Sequence, residues 1–212
     1  MIILIITKIE KQKNNNKRYS IFIDNEFAFG IDEIDLLYYK LKENESLDNE
    51  KYEYILNKLL LKRAKDKALK YLGYKMRSKN QVIKKLQEYE FPPNVINKVI
   101  KVLEKYNYIN DEDFAKAFIK DKLNLKGHGV FKISYDLKML GVDEEIFKKY
   151  LYDEEFINEE KKAKDLLLKK LGNKNIENLD YKEKQKIYAY LARRGFSYDS
   201  IKKAFNSLLE DY

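Results

Sequence analysis

Three lysines near the middle of the chain have the spacing of a cationic surface. They lie at intervals of three and four residues, so on a helix they share one face: Lys98, Lys101 and Lys105. Like charges at this spacing destabilise a helix by about 0.2–0.5 kcal/mol per pair, so fold stability does not explain them. The stripe could contact DNA phosphates or an acidic protein surface, or be a solvated lysine-rich face, and the sequence leaves these interpretations open.

Further basic residues flank the start of one predicted helix and the end of another. The first group is Arg77, Lys79, Lys84 and Lys85, and the second is the pair Arg193 and Arg194. Arginine is rare in this chain, and its planar guanidinium suits bidentate recognition of phosphate or carboxylate. For the second pair the alternative is purely electrostatic, since a helix C-terminus attracts cations. We treat all of these residues, together with the lysine stripe, as candidate contacts to a partner or nucleic acid.

Residue types suited to catalysis or metal binding do not form a constellation. The chain has one histidine, His128, and no cysteine, so a metal cluster or a histidine-assisted nucleophile lacks a second member. The acidic runs that begin at Asp111 and Asp143 precede apolar helical patterns, where capping explains them. No glycine-rich phosphate loop occurs. The sequence therefore predicts a protein that is not an enzyme and that has no cofactor or metal.

Positive charge is concentrated in one part of the chain. The net charge is +8, and residues 61–110 carry 13 basic and 4 acidic side chains, whereas residues 1–60 carry 9 and 11. A/T-rich codon usage explains abundant lysine as well as function does, but it does not explain this concentration. The tyrosines of the region could stack on bases or pack in the core: Tyr71, Tyr74, Tyr89 and Tyr106.

No stretch of the sequence has the character of a membrane segment. There is no run of about 18 apolar residues, and the apolar residues at the N-terminus are too few for a signal peptide. We therefore expect a soluble cytoplasmic protein with no membrane partner.

An apolar skeleton occurs twice with the same steps of five, five, four and three residues. The first copy is Leu86, Phe91, Ile96, Ile100 and Leu103, and the second is Leu191, Phe196, Ile201, Phe205 and Leu208. A shortened copy lies between them as Leu137, Val142, Ile146 and Tyr150. This pattern predicts a tandem array of helical units, an architecture that presents long surfaces to large partners.

Local signals place the helix ends. Two capping boxes are predicted, one at Ser78 with Gln81 and one at Asp180 with Glu183. The pair Pro92-Pro93 predicts a helix start, because proline is tolerated only in the first turn. Gly127-His128-Gly129, Gly141 and Gly195 are predicted to end helices.

The N-terminal segment differs from the rest because its apolar residues alternate. Ile3, Ile5 and Ile9 share a parity, Tyr19, Ile21 and Ile23 occupy alternate positions, and Phe27, Phe29 and Ile31 alternate again. Period two predicts three antiparallel strands, with a hairpin at Asp24-Asn25-Glu26, where asparagine tolerates positive φ. Asp32 is predicted to cap a short helix that runs to Leu41, and Leu47-Asp48 to open a longer one.

Three stretches carry a family resemblance. They are Ala68-Leu69-x-Tyr71-Leu72 with Arg77-Ser78 and Leu86, then Tyr108-Ile109-Asn110-Asp111-Glu112-x-Phe114-Ala115, then Gly127 with Ile133, Leu137, Gly141 and Val142. These resemble the RecX regulatory proteins, small bacterial modulators of the RecA recombinase. The resemblance covers about residues 64–212, and the N-terminal strands look like the extension of Gram-positive members. It implies a protein that binds the RecA–DNA filament and modulates, mostly by inhibition, its ATPase activity, strand exchange and growth.

The prediction as a whole is a mainly α fold. It consists of three tandem three-helix repeats in an elongated, curved array after a small antiparallel β extension, with boundaries at 1–60, 61–109, 110–156 and 157–212. We expect a monomer that binds single- or double-stranded DNA weakly and without sequence preference. The alternative that the residues leave open is a helix-turn-helix protein acting directly on DNA.

Overall fold

A computed structural model describes residues 4–13, 15–153 and 156–210. Ile3 of the predicted first strand lies outside the described residues. The chain divides into two compact units, Met1–Asn110 and Asp111–Tyr212. Within the described ranges, no helix is both long and apolar enough to cross a membrane.

The first unit begins with a four-stranded antiparallel sheet in the order β3-β2-β1-β4. Its strands are β1 (Leu4–Lys11), β2 (Arg18–Ile23), β3 (Glu26–Asp32) and β4 (Ser46–Leu47). Asp24 and Asn25 form the two-residue turn between β2 and β3 with φ of 50° and 69°, so the predicted hairpin is confirmed. The sequence predicted three strands and missed β4, because two residues are too few to show a period.

Register shifts overturn part of the predicted alternation. In β1 the pairing jumps from Ile6 to Lys8, and Ile6 is buried while Ile5 is exposed. In β3 a similar irregularity turns Phe27 outward, although Phe29 and Ile31 are buried. One extra residue in a strand reverses the face of every side chain beyond it. The shared face predicted for Phe27, Phe29 and Ile31 is therefore wrong at Phe27.

Helices complete the first unit. They are α1 (Glu33–Tyr38), α2 (Asn49–Tyr54), a π-helical segment (Ile55–Leu60) that runs directly into α3 (Leu61–Leu72), then α4 (Lys79–Glu88) and α5 (Pro93–Lys105). Helix α1 ends three residues before the predicted Leu41. Asp32 stands at its N-cap position, but its side chain caps nothing and pairs with Arg18 instead.

The local signals around α4 and α5 are confirmed. Ser78 accepts a hydrogen bond from the Gln81 N–H, and the Gln81 side chain accepts one from the Ser78 N–H. Pro93 is the first residue of α5. All five skeleton positions between Leu86 and Leu103 are buried.

The β sheet and the first three-helix repeat share one apolar core. Arg18 of β2 is 1% exposed, and its guanidinium donates to Asp32 Oδ1 at 2.8 Å and to the Tyr89 carbonyl at 2.6 Å. The Gly30 N–H donates to the carbonyl of Glu90, which has a φ of 56°. The turn between α4 and α5 is thus held by the sheet.

The second unit contains the other two repeats. Its helices are α6 (Asp111–Asn124), α7 (Val130–Met139), α8 (Glu144–Leu151), α9 (Glu159–Leu171), α10 (Tyr181–Arg193) and α11 (Tyr198–Glu210), with a 3₁₀ turn at Ile176–Asn178. The capping box of Asp180 and Glu183 is confirmed. The apolar residues form two clusters, one for α6 to α8 and one for α9 to α11.

The second and third repeats meet at a close backbone approach. The Gly129 N–H donates to the Arg194 carbonyl at 2.9 Å, and the Phe131 N–H donates to the Gly195 carbonyl at 3.0 Å. A Cβ at Gly129 would lie 2.2 Å from the backbone nitrogen of Phe196. Gly195 has a φ of 85° and ends α10 as predicted, but it also forms this contact.

Candidate functional site

A basic and aromatic cluster occupies the connection between α3 and α4. The Arg77 guanidinium lies 4.1 Å from the centre of the Tyr71 ring, a cation–π distance. Its Nε is buried and has no hydrogen-bond partner among the described residues. The stacking holds the cation immediately before the cap residue Ser78, at the start of α4.

Helix α4 adds cations to the same cluster. Lys85 lies 5.9 Å from the Tyr71 ring and 5.4 Å from the Tyr89 ring, and it forms an ion pair with Glu88. The hydrogen bond to Glu88 raises the pKa of Lys85, so it remains charged. Lys67 of α3 lies 4.9 Å from the Tyr89 ring.

The other two candidates on α4 have different surroundings. Lys84 is exposed, and Lys79 forms a 2.8 Å ion pair with Glu104 of α5. Of the four tyrosines considered for base stacking, Tyr71 and Tyr89 are half-buried and lie against cationic side chains of the same chain. Tyr74 and Tyr106 are exposed, and Tyr106 lies against Lys105.

The predicted lysine stripe lies on the solvent face of α5. Lys98, Lys101 and Lys105 are all exposed. The opposite face is buried and consists of Val95, Ile96, Val99, Ile100 and Leu103. Lys98 donates to the Asn57 side chain, and Lys105 lies 5.8 Å from the Tyr106 ring. The first unit therefore carries both basic groups, the cluster at Arg77 and the stripe on α5.

The two arginines near the end of α10 differ from each other. Arg193 is exposed. Arg194 donates to the carbonyls of Lys126 at 2.9 Å and Gly127 at 3.3 Å, and it stacks on Tyr190 at 4.9 Å. These contacts fasten the turn after α6 to α10, a structural task that the sequence did not reveal.

His128 lies in the turn between α6 and α7. Its backbone N–H donates to the Lys122 carbonyl at 3.0 Å. Burial, followed by the charge of Lys122, lowers the pKa of the imidazole, which therefore favours its neutral form near pH 7. Within the described ranges, no group of three histidine or carboxylate side chains is placed to hold a metal ion.

The acidic runs have more than a capping role. Asp143 accepts from the Glu145 N–H at 3.1 Å, as a cap does. Glu112, however, accepts a hydrogen bond from the Tyr150 hydroxyl and pairs with Lys116 and Lys149 at 3.2 and 3.4 Å. These partners, Tyr150 first, lower the pKa of Glu112 to about 2. The network joins α6 to α8, and its members on α8, Lys149 and Tyr150, are too far from Glu112 in sequence for spacing to reveal it.

Glu159 is a second junction that the sequence missed. Its carboxylate accepts from the Val130 N–H at 2.7 Å, the Ser197 hydroxyl at 2.8 Å and the Ser200 hydroxyl at 2.7 Å. One side chain at the start of α9 thus binds the starts of α7 and α11. Its sequence neighbours give no signal, because every partner lies about 30 to 40 residues away.

Four family models match the chain in order. Residues 4–48 match the regulatory protein RecX N-terminal domain, and residues 64–103, 110–151 and 158–205 match the first, second and third three-helix domains of RecX.

Curated relatives and solved structures match over most of the chain. A regulatory protein RecX from Clostridium botulinum (strain Alaska E43 / Type E3) is 34% identical, with 93% of this chain and 92% of the relative covered. The regulatory protein RecX of Bacillus subtilis (strain 168) is 34% identical, with 96% of this chain and 76% of the relative covered. A crystal structure of regulatory protein RecX matches with a TM-score of 0.61 and 26% identity, covering 99% of this chain and 100% of that one. A crystal structure of RecX from Lactobacillus salivarius matches with a TM-score of 0.63 and 26% identity, covering 70% of this chain and 96% of that one.

Proposed function

Because the chain belongs to the RecX family of regulatory proteins, we propose that it binds the RecA–DNA filament and inhibits RecA's ATPase activity, strand exchange and filament growth. In this proposal the chain acts in the cytoplasm as a monomer, without a cofactor and without catalysing a reaction. Its relatives are named regulatory proteins rather than enzymes, which supports a role through binding.

One observation supports a filament target above others, namely the cationic surface of the first repeat, which comprises the exposed stripe on α5 and the half-buried cluster at Arg77. The stripe on α5 and the cluster at Arg77 lie in the segment that holds 13 basic and 4 acidic residues. Phosphate contacts of this kind position a protein on DNA without specifying a sequence. A regulator that must act on any stretch of filament needs this kind of contact. DNA alone should therefore bind weakly and without sequence preference.

The direct experiment is a titration of RecA ATPase activity on single-stranded DNA with the full chain. Inhibition should appear below one copy per RecA subunit, because a block to filament growth affects every subunit that would have been added. Alanine at Arg77, Lys84 and Lys85 together should raise the concentration needed. Lys84 and Lys85 are outside the buried set on α4, which is Val82 and Leu86, and Arg77 precedes this helix and is half-buried against Tyr71. The melting temperature of the variant is measured alongside, because the fold should be retained.

The same surface could belong to a helix-turn-helix protein that acts directly on duplex DNA, since the cations flank a capped helix. That function would give tight, selective duplex binding and leave RecA ATPase activity unaffected at equimolar protein. This result would replace the filament proposal.

A further inference from the structure

Helix α1 in the N-terminal extension has an unusual orientation. Asp35 and Leu36 are buried, whereas the outward positions carry large apolar side chains: Ile34 is 70% exposed, Leu37 70% and Tyr38 77%. Burying these side chains would stabilise the fold through the hydrophobic effect. The fold forgoes this gain and buries a carboxylate in their place.

The orientation is fixed by specific contacts. Arg63 of α3 donates to both oxygens of Asp35, from Nε at 2.8 Å and from Nη2 at 2.7 Å. Behind the helix, the Leu41 N–H donates to the Leu36 carbonyl, and the Leu41 side chain is buried. A bidentate pair of this kind defines both position and angle, so the apolar side chains are held outward by the fold.

Two further rings adjoin this exposed surface, the half-buried Tyr39 and the exposed Tyr54. The Tyr38 ring lies 5.0 Å from that of Tyr39, which in turn lies 6.1 Å from that of Tyr54 on α2. Tyr54 is 51% exposed. We call the set Ile34, Leu37, Tyr38, Tyr39 and Tyr54 the α1 patch. Contiguous exposed apolar side chains on a soluble domain mark a site of interaction.

The charge around the α1 patch indicates its partner. Residues 26–54 contain nine carboxylates and three lysines. Asp32 and Asp35 are neutralised by Arg18 and Arg63, but Glu33, Glu50 and Glu53 are exposed beside the patch residues in sequence. Lys40 and Lys58 are exposed cations near the ends of the same elements. An apolar surface whose neighbours along the chain carry more carboxylates than cations disfavours phosphates and complements an apolar protein segment flanked by basic residues.

We propose that the α1 patch docks a RecA subunit through an apolar segment flanked by lysine or arginine, while the α5 stripe contacts DNA. The identity of the subunit rests on the proposed function. A stable homodimer is a poor fit, because a six-residue helix is only about 9 Å long and stable interfaces bury about 800 Å² per partner.

The test uses the full chain carrying Leu37→Ser and Tyr38→Ser. The matched control is Leu125→Ser with Tyr181→Ser, which removes the same side-chain types at 76% and 75% exposure in the second unit. Binding to fluorescent RecA–DNA filaments and to the DNA alone is measured together with the melting temperature. The α1 variant should bind filaments about tenfold or more weakly, as expected for an interface anchor. Its binding to DNA alone and its melting temperature should stay unchanged, and the control should behave as the native chain.

A second variant removes charge and keeps the apolar surface. Glu33→Lys, Glu50→Lys and Glu53→Lys together should weaken filament binding and strengthen binding to DNA alone. Native affinity for the filament in both α1 variants overturns the docking inference and leaves the proposed function standing. Equal loss of filament and DNA binding overturns it too, as does a native dimer that the serine variant converts to monomer. If the native chain itself fails to bind filaments, the proposed function falls and the assignment of RecA falls with it.

Discussion

At the scale of single residues, two glycines show how the absence of a side chain can hold repeats together. Gly129 has an ordinary φ of −82°, so no backbone conformation demands glycine there. What demands it is space, since a Cβ would lie within 2.4 Å of three backbone atoms of Gly195 and Phe196. Gly195 has the additional constraint of positive φ.

Replacing Gly129 by alanine should therefore destabilise the second unit by about 1–3 kcal/mol or more, the cost of overpacking against an unyielding backbone. Gly73→Ala is the control, because a Cβ there would meet no atom closer than 3.5 Å and φ is −62°. The control should be neutral or slightly stabilising. Chemical denaturation of both variants measures the difference. Equal stabilities would mean that the repeats can separate at this point without loss.

Glu112 predicts a response to acid. Its folded-state pKa is depressed from 4.5 to about 2, so its interactions stabilise the fold above pH 4.5 and are lost as the pH falls towards 2. Tyr150→Phe removes the largest cause and should move the pKa of Glu112 back up. Carbon NMR of the Glu112 carboxyl measures this pKa in both chains. The same titration midpoint in the variant would show that the lysines, not the tyrosine, hold the carboxylate charged.

At the scale of elements, each of two helices presents a surface of one character. Helix α5 buries its apolar face and exposes lysines, as amphipathic periodicity predicts. Helix α1 exposes Ile34, Leu37 and Tyr38 and buries the Asp35 carboxylate, because the ion pair between Asp35 and Arg63 of α3 determines which way it faces. The apolar periodicity of a helix therefore identifies its buried face only when apolar packing, and not an ion pair, determines the orientation of the helix.

Reversing Lys98, Lys101 and Lys105 to glutamate tests the α5 stripe. Because these side chains are exposed, the free energy of unfolding should change by about 0.5 kcal/mol or less at each site. Filament binding should weaken. If all three contact phosphates, the slope of log K against log salt should flatten by about 2 to 3.

Glutamate at Lys161, Lys169 and Lys202 is the control for the stripe, because it makes the same change in net charge at exposed positions of the second unit. If the stripe variant and this control have the same filament binding and salt dependence, the stripe is a solvated lysine-rich face and not a contact surface.

At the scale of the whole molecule, the two units are built differently. The first has one core shared by the sheet and the helices of that unit, whereas the second has two smaller cores joined by Glu159 and the approach of Gly129 to Gly195. Repeats that share an interface with a neighbouring repeat lose stability when that neighbour is removed.

Two truncations should therefore behave differently. A chain ending at Asn110 should melt cooperatively, because its core is complete. A chain ending at Phe156 deprives the Gly129 and Val130 N–H groups of their acceptors, and the second repeat should lose protection. Amide hydrogen exchange over residues 114–151 checks this. Native protection of these residues in the chain that ends at Phe156 would show that the second repeat folds by itself.

The features whose cause lies within a few residues of the chain could be predicted from the sequence alone. The capping boxes at Ser78 and Asp180, the Asp24-Asn25 turn and the repeated apolar skeleton follow from hydrogen bonds and periodicities that span one or two turns. The stripe on α5 was predicted in the same way, because exposure on a long amphipathic helix is a local property. The family resemblance rested on such local motifs as well, and the predicted repeat boundaries stay a prediction.

Tertiary structure decided everything that depends on a distant partner. The registers that turn Ile5 and Phe27 outward depend on the opposing strand. The buried guanidinium of Arg18 and the carboxylate of Glu159 are satisfied by groups from about 14 to 71 residues away. The outward face of α1 depends on Arg63, 28 residues beyond Asp35. Packing and ion pairing act through space, so a pattern read along the chain cannot contain them.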